Sequence, residues 1–176
     1  MKKIIAFAGT NSRESINKQL ASYASSLVSN VDVTILDLNE FNLPLYGIDI
    51  ENEKGIPENA QMFLDIIKST DGIILSLAEH NGAYSTAFKN IFDWMSRIDG
   101  KLWSNKPMLL MATSPGVRGG ASVLEIANSR FPFMGGNIVS EFSLPNFGDN
   151  FNEGKVISTD LNNELKNKVE VFQKSL

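Results

Sequence analysis

Two kinds of apolar pattern alternate along the chain. Short continuous runs, Ile4–Ala8, Gly72–Leu77 and Pro107–Ala112, have the length of strands and almost no polar position. Between and after them, apolar residues recur every three or four positions. The sets are Ile16, Leu20, Tyr23, Ala24 and Leu27; Met62, Phe63, Ile66 and Ile67; Ala87, Ile91, Trp94 and Met95; Val123, Leu124, Ile126 and Ala127; and Leu161, Leu165, Val169 and Phe172. This spacing predicts five helices, each with a buried stripe. Pro57 marks the start of the second, because a first-turn proline loses no hydrogen bond. Val31, Val33 and Ile35 alternate with polar neighbours, and Ile138–Phe142 adds a fifth strand.

Strands alternating with helices imply an α/β domain whose parallel sheet is covered on both faces. The continuous runs belong at the sheet centre and the alternating strand two at an edge. The expected architecture is a doubly wound five-stranded sheet of order 2-1-3-4-5, spanning residues 1–176 as one domain. In such a sheet, ligands bind outside the carboxyl ends of the strands, where the winding reverses between strands one and three.

Composition narrows the chemistry. A net charge of −4 argues against a general nucleic-acid binder, which needs a basic face. The chain has no cysteine, so disulfides, thiolate metal sites and a thiol nucleophile are excluded. Its single histidine, His80, cannot build a multi-histidine metal centre. Redox chemistry would therefore need an organic cofactor. The apolar run after Met1-Lys2-Lys3 is too short for a signal peptide, and no run approaches the roughly 20 residues of a membrane span. The expectation is a cytoplasmic protein with no membrane partner.

The loops after strands one, three and four are the chain's most unusual segments. Gly9-Thr10-Asn11-Ser12-Arg13-Glu14-Ser15-Ile16-Asn17 offers hydroxyls, amides and a helix start, the donors that a phosphate needs. Ser15 alone would be an ordinary N-cap. The loop matches neither G-x-G-x-x-G nor the Walker A pattern. Ala78-Glu79-His80-Asn81-Gly82-Ala83-Tyr84-Ser85 carries an Asn-Gly turn and a flat imidazole. Thr113-Ser114-Pro115-Gly116-Val117-Arg118-Gly119-Gly120 has glycines that let backbone approach a planar ligand. Each loop has a bland reading as an ordinary strand-to-helix connection, but all three fall on the rim where this fold binds ligands.

These loops resemble those of the NADPH-dependent FMN reductase family, a flavodoxin-like group that includes azoreductases and chromate and quinone reductases. The family's first loop is usually Gly-Ser-x-Arg-x-x-Ser-x-Asn, matched here by Gly9, Thr10, Ser15 and Asn17. Its second is usually Pro-Glu-Tyr-Asn, matched by Glu79 and Asn81. Lys89-Asn90 and Asp93-Trp94 match its Lys-Asn-x-x-Asp-Trp helix, and Ser114–Gly120 its glycine-rich loop. The resemblance implies bound FMN, with Thr10, Ser12, Ser15 and Asn17 at its phosphate. Ala78, Glu79, His80, Asn81, Ser114 and Gly116 would line its ring. It also implies NAD(P)H as co-substrate, a small acceptor (quinone, azo compound, free flavin or metal oxyanion) and no obligatory catalytic acid, base or metal.

Three departures stand out: Ser12 in place of arginine, Ala78 in place of proline and His80 in place of tyrosine. They imply more loosely held FMN. Two alternatives stay open: a flavodoxin-type electron carrier without NAD(P)H activity, and a member with weak or lost cofactor binding. Phe88, Phe92, Trp94 and Met95 make one helix apolar nearly all round. One face would lie on the sheet, and the other would either meet a second subunit or be domain core. The resemblance implies a homodimer, with a tetramer as the larger alternative. Asp93 is expected to find a cationic or N–H partner, and the aromatics of Phe41–Tyr46 to cover the ring.

Overall fold

The computed structural model describes all 176 residues. Five parallel strands form the sheet: β1 (Lys2–Gly9), β2 (Val31–Leu36), β3 (Gly72–Leu77), β4 (Pro107–Thr113) and β5 (Asn137–Leu144). Their order is β2-β1-β3-β4-β5, the flavodoxin-like order expected from the alternation. Successive residues of a central strand point to opposite faces, and both faces are buried. Ile5, Phe7, Ile73, Leu75 and Leu110 join one core cluster; Ile4, Ala6, Ile74, Leu109 and Met111 join the other. β2 is an edge strand with exposed Asp32, Thr34 and Ile35.

Helices α1 (Ile16–Ser26) and α6 (Thr159–Ser175) cover one face through Leu20, Ala24, Leu165 and Phe172. The other face takes α3 (Glu58–Ser69), α4 (Thr86–Ile98) and α5 (Ala121–Arg130). A short α2 (Ile48–Lys54) has no buried residue and therefore left no apolar period to read. Pro57 occupies the cap of α3, one residue before its first turn. The buried stripe of α3 is rotated from the expected one: Leu64 is fully buried, and Met62 is 46% exposed.

Phe88, Phe92, Trp94 and Met95 are all buried within the chain itself. The second apolar face of α4 therefore needs no other subunit. It is covered by the segment from Phe41 to Lys54, held as a strap by Asn90 and Trp94 of the Lys-Asn-x-x-Asp-Trp sequence. Asn90 Nδ2 and Trp94 Nε1 both donate to the Pro44 carbonyl, at 3.1 and 2.8 Å. Asn90 Oδ1 accepts the Tyr46 N–H at 2.8 Å. The Tyr46 ring meets Trp94 edge-on at 5.0 Å, and its hydroxyl donates to Glu51, which also takes Arg97. Phe41 packs edge-on against Phe63 at 4.8 Å. Phe41 also lines the groove that runs beside His80, whereas Tyr46 is engaged on Trp94. Asp93 finds the Lys89 ammonium at 2.7 Å, as its charge requires.

Behind α4, the rings of Tyr84, Phe88, Phe92, Trp103 and Phe131 form one aromatic cluster. The Tyr84 hydroxyl is buried there without a hydrogen-bond partner. Burial pushes its pKa from 10.0 up to about 12. A raised acid contributes stability that is complete below the unfolded pKa and lost as pH rises through the folded one. In denaturant titrations, Tyr84→Phe is expected to keep or raise stability at neutral pH, by about 1 kcal/mol, since it removes an orphaned hydroxyl. The wild-type chain should lose stability relative to the variant between pH 10 and about 12. Parallel pH profiles would refute this assignment.

Candidate functional site

β1 leaves the sheet at Gly9, where a Cβ would lie 2.8 Å from Leu77 Cδ2 and 3.2 Å from Phe88 Cγ. A larger residue there would press on the packed side chains of strand and helix. Ser85 Oγ donates to the Gly9 carbonyl at 2.7 Å and accepts the Phe88 N–H, so it caps α4 against the first loop. Further along that loop, the buried Thr10 hydroxyl accepts the Ser12 N–H at 3.1 Å. Ser15 caps α1 by accepting the Lys18 N–H at 3.0 Å. The N–H groups of Ile16 and Asn17 then open the helix with no acceptor inside the chain. They carry the positive end of the helix dipole.

The Asn17 side chain does not serve that opening. It is 3% exposed, and its amide is spent on the sheet. Oδ1 accepts from Ser76 Oγ at 2.8 Å and from the Thr113 N–H at 3.0 Å, while Nδ2 donates to the Thr113 carbonyl at 3.2 Å. Asn17, expected at the phosphate, ties α1 to the ends of β3 and β4 through these bonds while also lining the cavity.

The second loop is a tight hairpin in which Glu79 pairs with Tyr84 and His80 with Ala83. Asn81 and Gly82 turn it, both in the left-handed region, with φ of 52° and 74°. This is the geometry that an Asn-Gly pair supplies. Glu79 reaches across to the third loop, its Oε2 accepting the Val123 N–H at 3.0 Å. Val123 is the third residue of α5, whose cap position holds Gly120 and so has no side chain to cap with. Gly120 is obligatory, with φ of 81° and a would-be Cβ 2.7 Å from that of Ala112. Glu79 thus supplies the missing cap and binds the second and third loops together. A Cβ on Gly119 would strike the Ser143 hydroxyl. Two of the loop's three glycines therefore serve its own packing, and only Gly116 has open space where a side chain would stand.

These loops enclose a cavity of about 190 Å³ at the β1–β3 switch point, lined by Thr10, Ser12, Ser15, Asn17, Ala78, Glu79, His80 and Ser114. Those eight predicted residues are brought together. Asn81 and Gly116 lie outside the lining, at the exposed tips of their loops. Glu14, Ile16, Thr113 and Pro115 also line it. Thr113 carried a readable signal, since it ends a central strand. Beside this cavity runs a groove of about 410 Å³ between the strap and the start of α4. Its walls carry Asn11, Asn39, Asn42 and Asn90 with Leu38, Leu43 and Leu45, and no Lys, Arg, Asp or Glu. His80 stands on the wall common to both. On the outer side, Lys18 pairs with Asp37 at 2.6 Å, and that hydrogen bond holds the Asp37 carboxyl below the usual carboxylate range.

The two ties differ in what their loss exposes. Asn17→Ala leaves the buried N–H and C=O of Thr113 unpaired and is expected to cost about 2–4 kcal/mol of unfolding free energy. Glu79→Ala removes a helix cap and should cost about 1 kcal/mol, whereas Glu79→Gln keeps an acceptor and most of the stability. Equal losses for Glu79→Gln and Glu79→Ala in denaturant titration would mean that the charge, and not the cap, is what matters.

The chain is similar to known reductases over this same region. It is 33% identical over 162 residues to a 2-hydroxy-1,4-benzoquinone reductase from a Burkholderia species, covering 79% of this chain and 86% of that one. It is 34% identical to the quinone reductase of Escherichia coli over 80 residues, 46% of this chain and 43% of the relative's length. The match thus spans less than half of that relative. Among solved structures, a flavoenzyme NAD(P)H:(acceptor) oxidoreductase from Paracoccus denitrificans superposes with a TM-score of 0.77 at 24% identity, covering 99% and 96% of the two chains. That likeness shows the flavodoxin-like fold. The model of the NADPH-dependent FMN reductase family matches residues 2–149, strands, loops and cavity included, and the chain belongs to that family.

Proposed function

We propose that this protein is an FMN-dependent NAD(P)H oxidoreductase that passes two electrons to a small organic acceptor. The observation that carries the reading is the cavity at the β1–β3 switch point, closed by three loops and fronted by the unpartnered N–H groups of Ile16 and Asn17. The donor set suits the cofactor. The hydroxyls of Thr10, Ser12 and Ser15 and the α1 N–H groups would hold the phosphate. Ala78, Glu79, His80, Asn81, Ser114 and Gly116 would border the ring.

FMN, when bound, supplies the hydride acceptance and the two-electron store. The chain's part is placement. Asn17 fixes the strand ends, Ser85 and Ser15 cap the helices on either side of the first loop, and Glu79 holds the ring-side loops to each other. No side chain is assigned as a catalytic acid or base. The adjoining groove gives the nicotinamide and then the acceptor somewhere to lie, which an electron carrier would not need. Its walls of amides and aliphatic groups suit an uncharged aromatic such as a quinone better than an oxyanion. No helix is long and apolar enough to cross a membrane. Dependence on NAD(P)H suits work in the cytoplasm. A homodimer rests on the family likeness and on the exposed Leu45 and Ile48 of the strap.

Protein saturated with FMN should bleach in the flavin band when NADPH is added without oxygen, and regain colour on addition of a quinone. Initial rates at varied NADPH and quinone should give parallel reciprocal lines, since both substrates use one place in turn. A flavin band that NADPH leaves unchanged would turn the assignment toward an electron carrier.

A further inference from the structure

Two-electron reduction of a quinone needs more than hydride. The hydride, which FMN supplies when bound and reduced, carries both electrons and one proton. One oxygen of the acceptor is then left with a negative charge and needs a second proton. The groove beside the cavity limits where that proton can come from. Its walls offer asparagine amides, the hydroxyls of Ser85 and Thr86, and the imidazole of His80, and no Lys, Arg, Asp or Glu. Asn39 is committed to Asp37 and the Asn11 carbonyl, Asn90 to the strap, and Ser85 to Gly9. Amides and hydroxyls form hydrogen bonds but keep their protons near neutral pH. Imidazole is the side chain that gives one up there.

His80 is exposed and stands on the wall common to groove and cavity, so one ring borders both ligand spaces and the solvent. Its backbone is fixed by pairing with Ala83 across the Asn81-Gly82 turn. The charged groups that share this wall lie on the cavity side. Glu14 lines the cavity, and so does Glu79, which accepts the Val123 N–H. Arg13 borders the groove that continues past Glu14 and Ser15 along α1. Lys18 and Lys89 are held by Asp37 and Asp93. On the reading of this site as that of an FMN-dependent reductase, we infer that His80 is the proton donor to the acceptor. The imidazolium N–H bond breaks as an O–H bond forms on the quinone oxygen that holds the charge. The quinone, having gained two electrons and two protons, leaves as hydroquinone. The neutral ring takes its proton back from water on its exposed side. The favoured substrates are acceptors that take up protons with their electrons, over oxidants that take electrons alone.

His80 is the single histidine, so its ring protons give one set of NMR signals in the full-length protein and its titration can be followed directly. Adding para-hydroquinone to the FMN-saturated protein should move those signals and their titration midpoint. The rate test starts from FMN-saturated protein reduced by NADPH without oxygen. Return of colour is timed after mixing with para-benzoquinone, or with ferricyanide, which takes electrons and no proton. The ratio of the benzoquinone rate to the ferricyanide rate should fall about tenfold per pH unit above the His80 midpoint. His80→Gln keeps a hydrogen-bonding side chain without the transferable proton. It should lower that ratio about 100-fold at neutral pH and remove its pH slope. Should that variant lose its flavin, the wild-type slope and the ring signals still decide the matter. A ratio that stays flat through the midpoint, a ratio that His80→Gln leaves in place, or ring signals that hydroquinone does not move would each overturn the inference and leave the reductase reading intact. A bound flavin that NADPH does not bleach would instead remove that reading, and the inference with it.

Discussion

One buried amide determines where the rim of the sheet lies. Asn17 hydrogen-bonds Ser76 and Thr113, residues far away in sequence, through contacts with almost no access to water. Polar groups taken out of water must be paired, and a network of them holds as a unit. The register of the β3 and β4 ends, relative to the start of α1, is fixed by that rule. The loops that follow those strands begin from the positions it sets. Each inherits its place from that one side chain.

From there outward the loops are occupied chiefly with one another. Glu79 crosses to α5, Ser85 returns to Gly9, Ser143 donates to the Gly119 carbonyl, and Gly119 and Gly120 make room for neighbouring strands. Much of the donor and glycine content that marks these segments as unusual goes into making them mutually rigid. The cavity is bounded by what remains: Thr10, Ser12 and Ser15, the first N–H groups of α1, and Ser114 and Pro115 of the third loop. Preorganisation of this kind lowers the ordering cost that a ligand would otherwise meet.

The sheet was legible because central parallel strands must be apolar on both faces, and Gly72–Leu77 and Pro107–Ala112 show it with Ser76 as the single polar position. The cavity was legible because the switch-point rule named the right loops. Three things were not. Asn17 carries the same donors whether it faces a phosphate or a strand, so its residue type says nothing of its direction. α2 buries no residue, and a helix without a stripe has no period. That α4 buries two faces could be read from Phe88, Phe92, Trp94 and Met95. What covers the second could not, because the strap is fastened through the Pro44 carbonyl, and a backbone group leaves no mark in sequence.

The strap has a thermal character of its own. Leu45 and Ile48 are 68% and 52% exposed, and α2 contributes nothing to the core. What retains its part from Leu45 to Lys54 is a handful of polar clips, each worth about 1 kcal/mol, the Tyr46–Trp94 ring contact, and one ion pair worth less. Lifting it from α4 therefore takes a few kcal/mol, well short of undoing the sheet. In hydrogen-exchange terms the segment is a separate low-energy opening unit, and it forms one wall of the groove beside His80. The width of that groove is then set by temperature and by whatever lies in it as much as by the fold, and molecules of unequal size can be admitted with no change in the sheet.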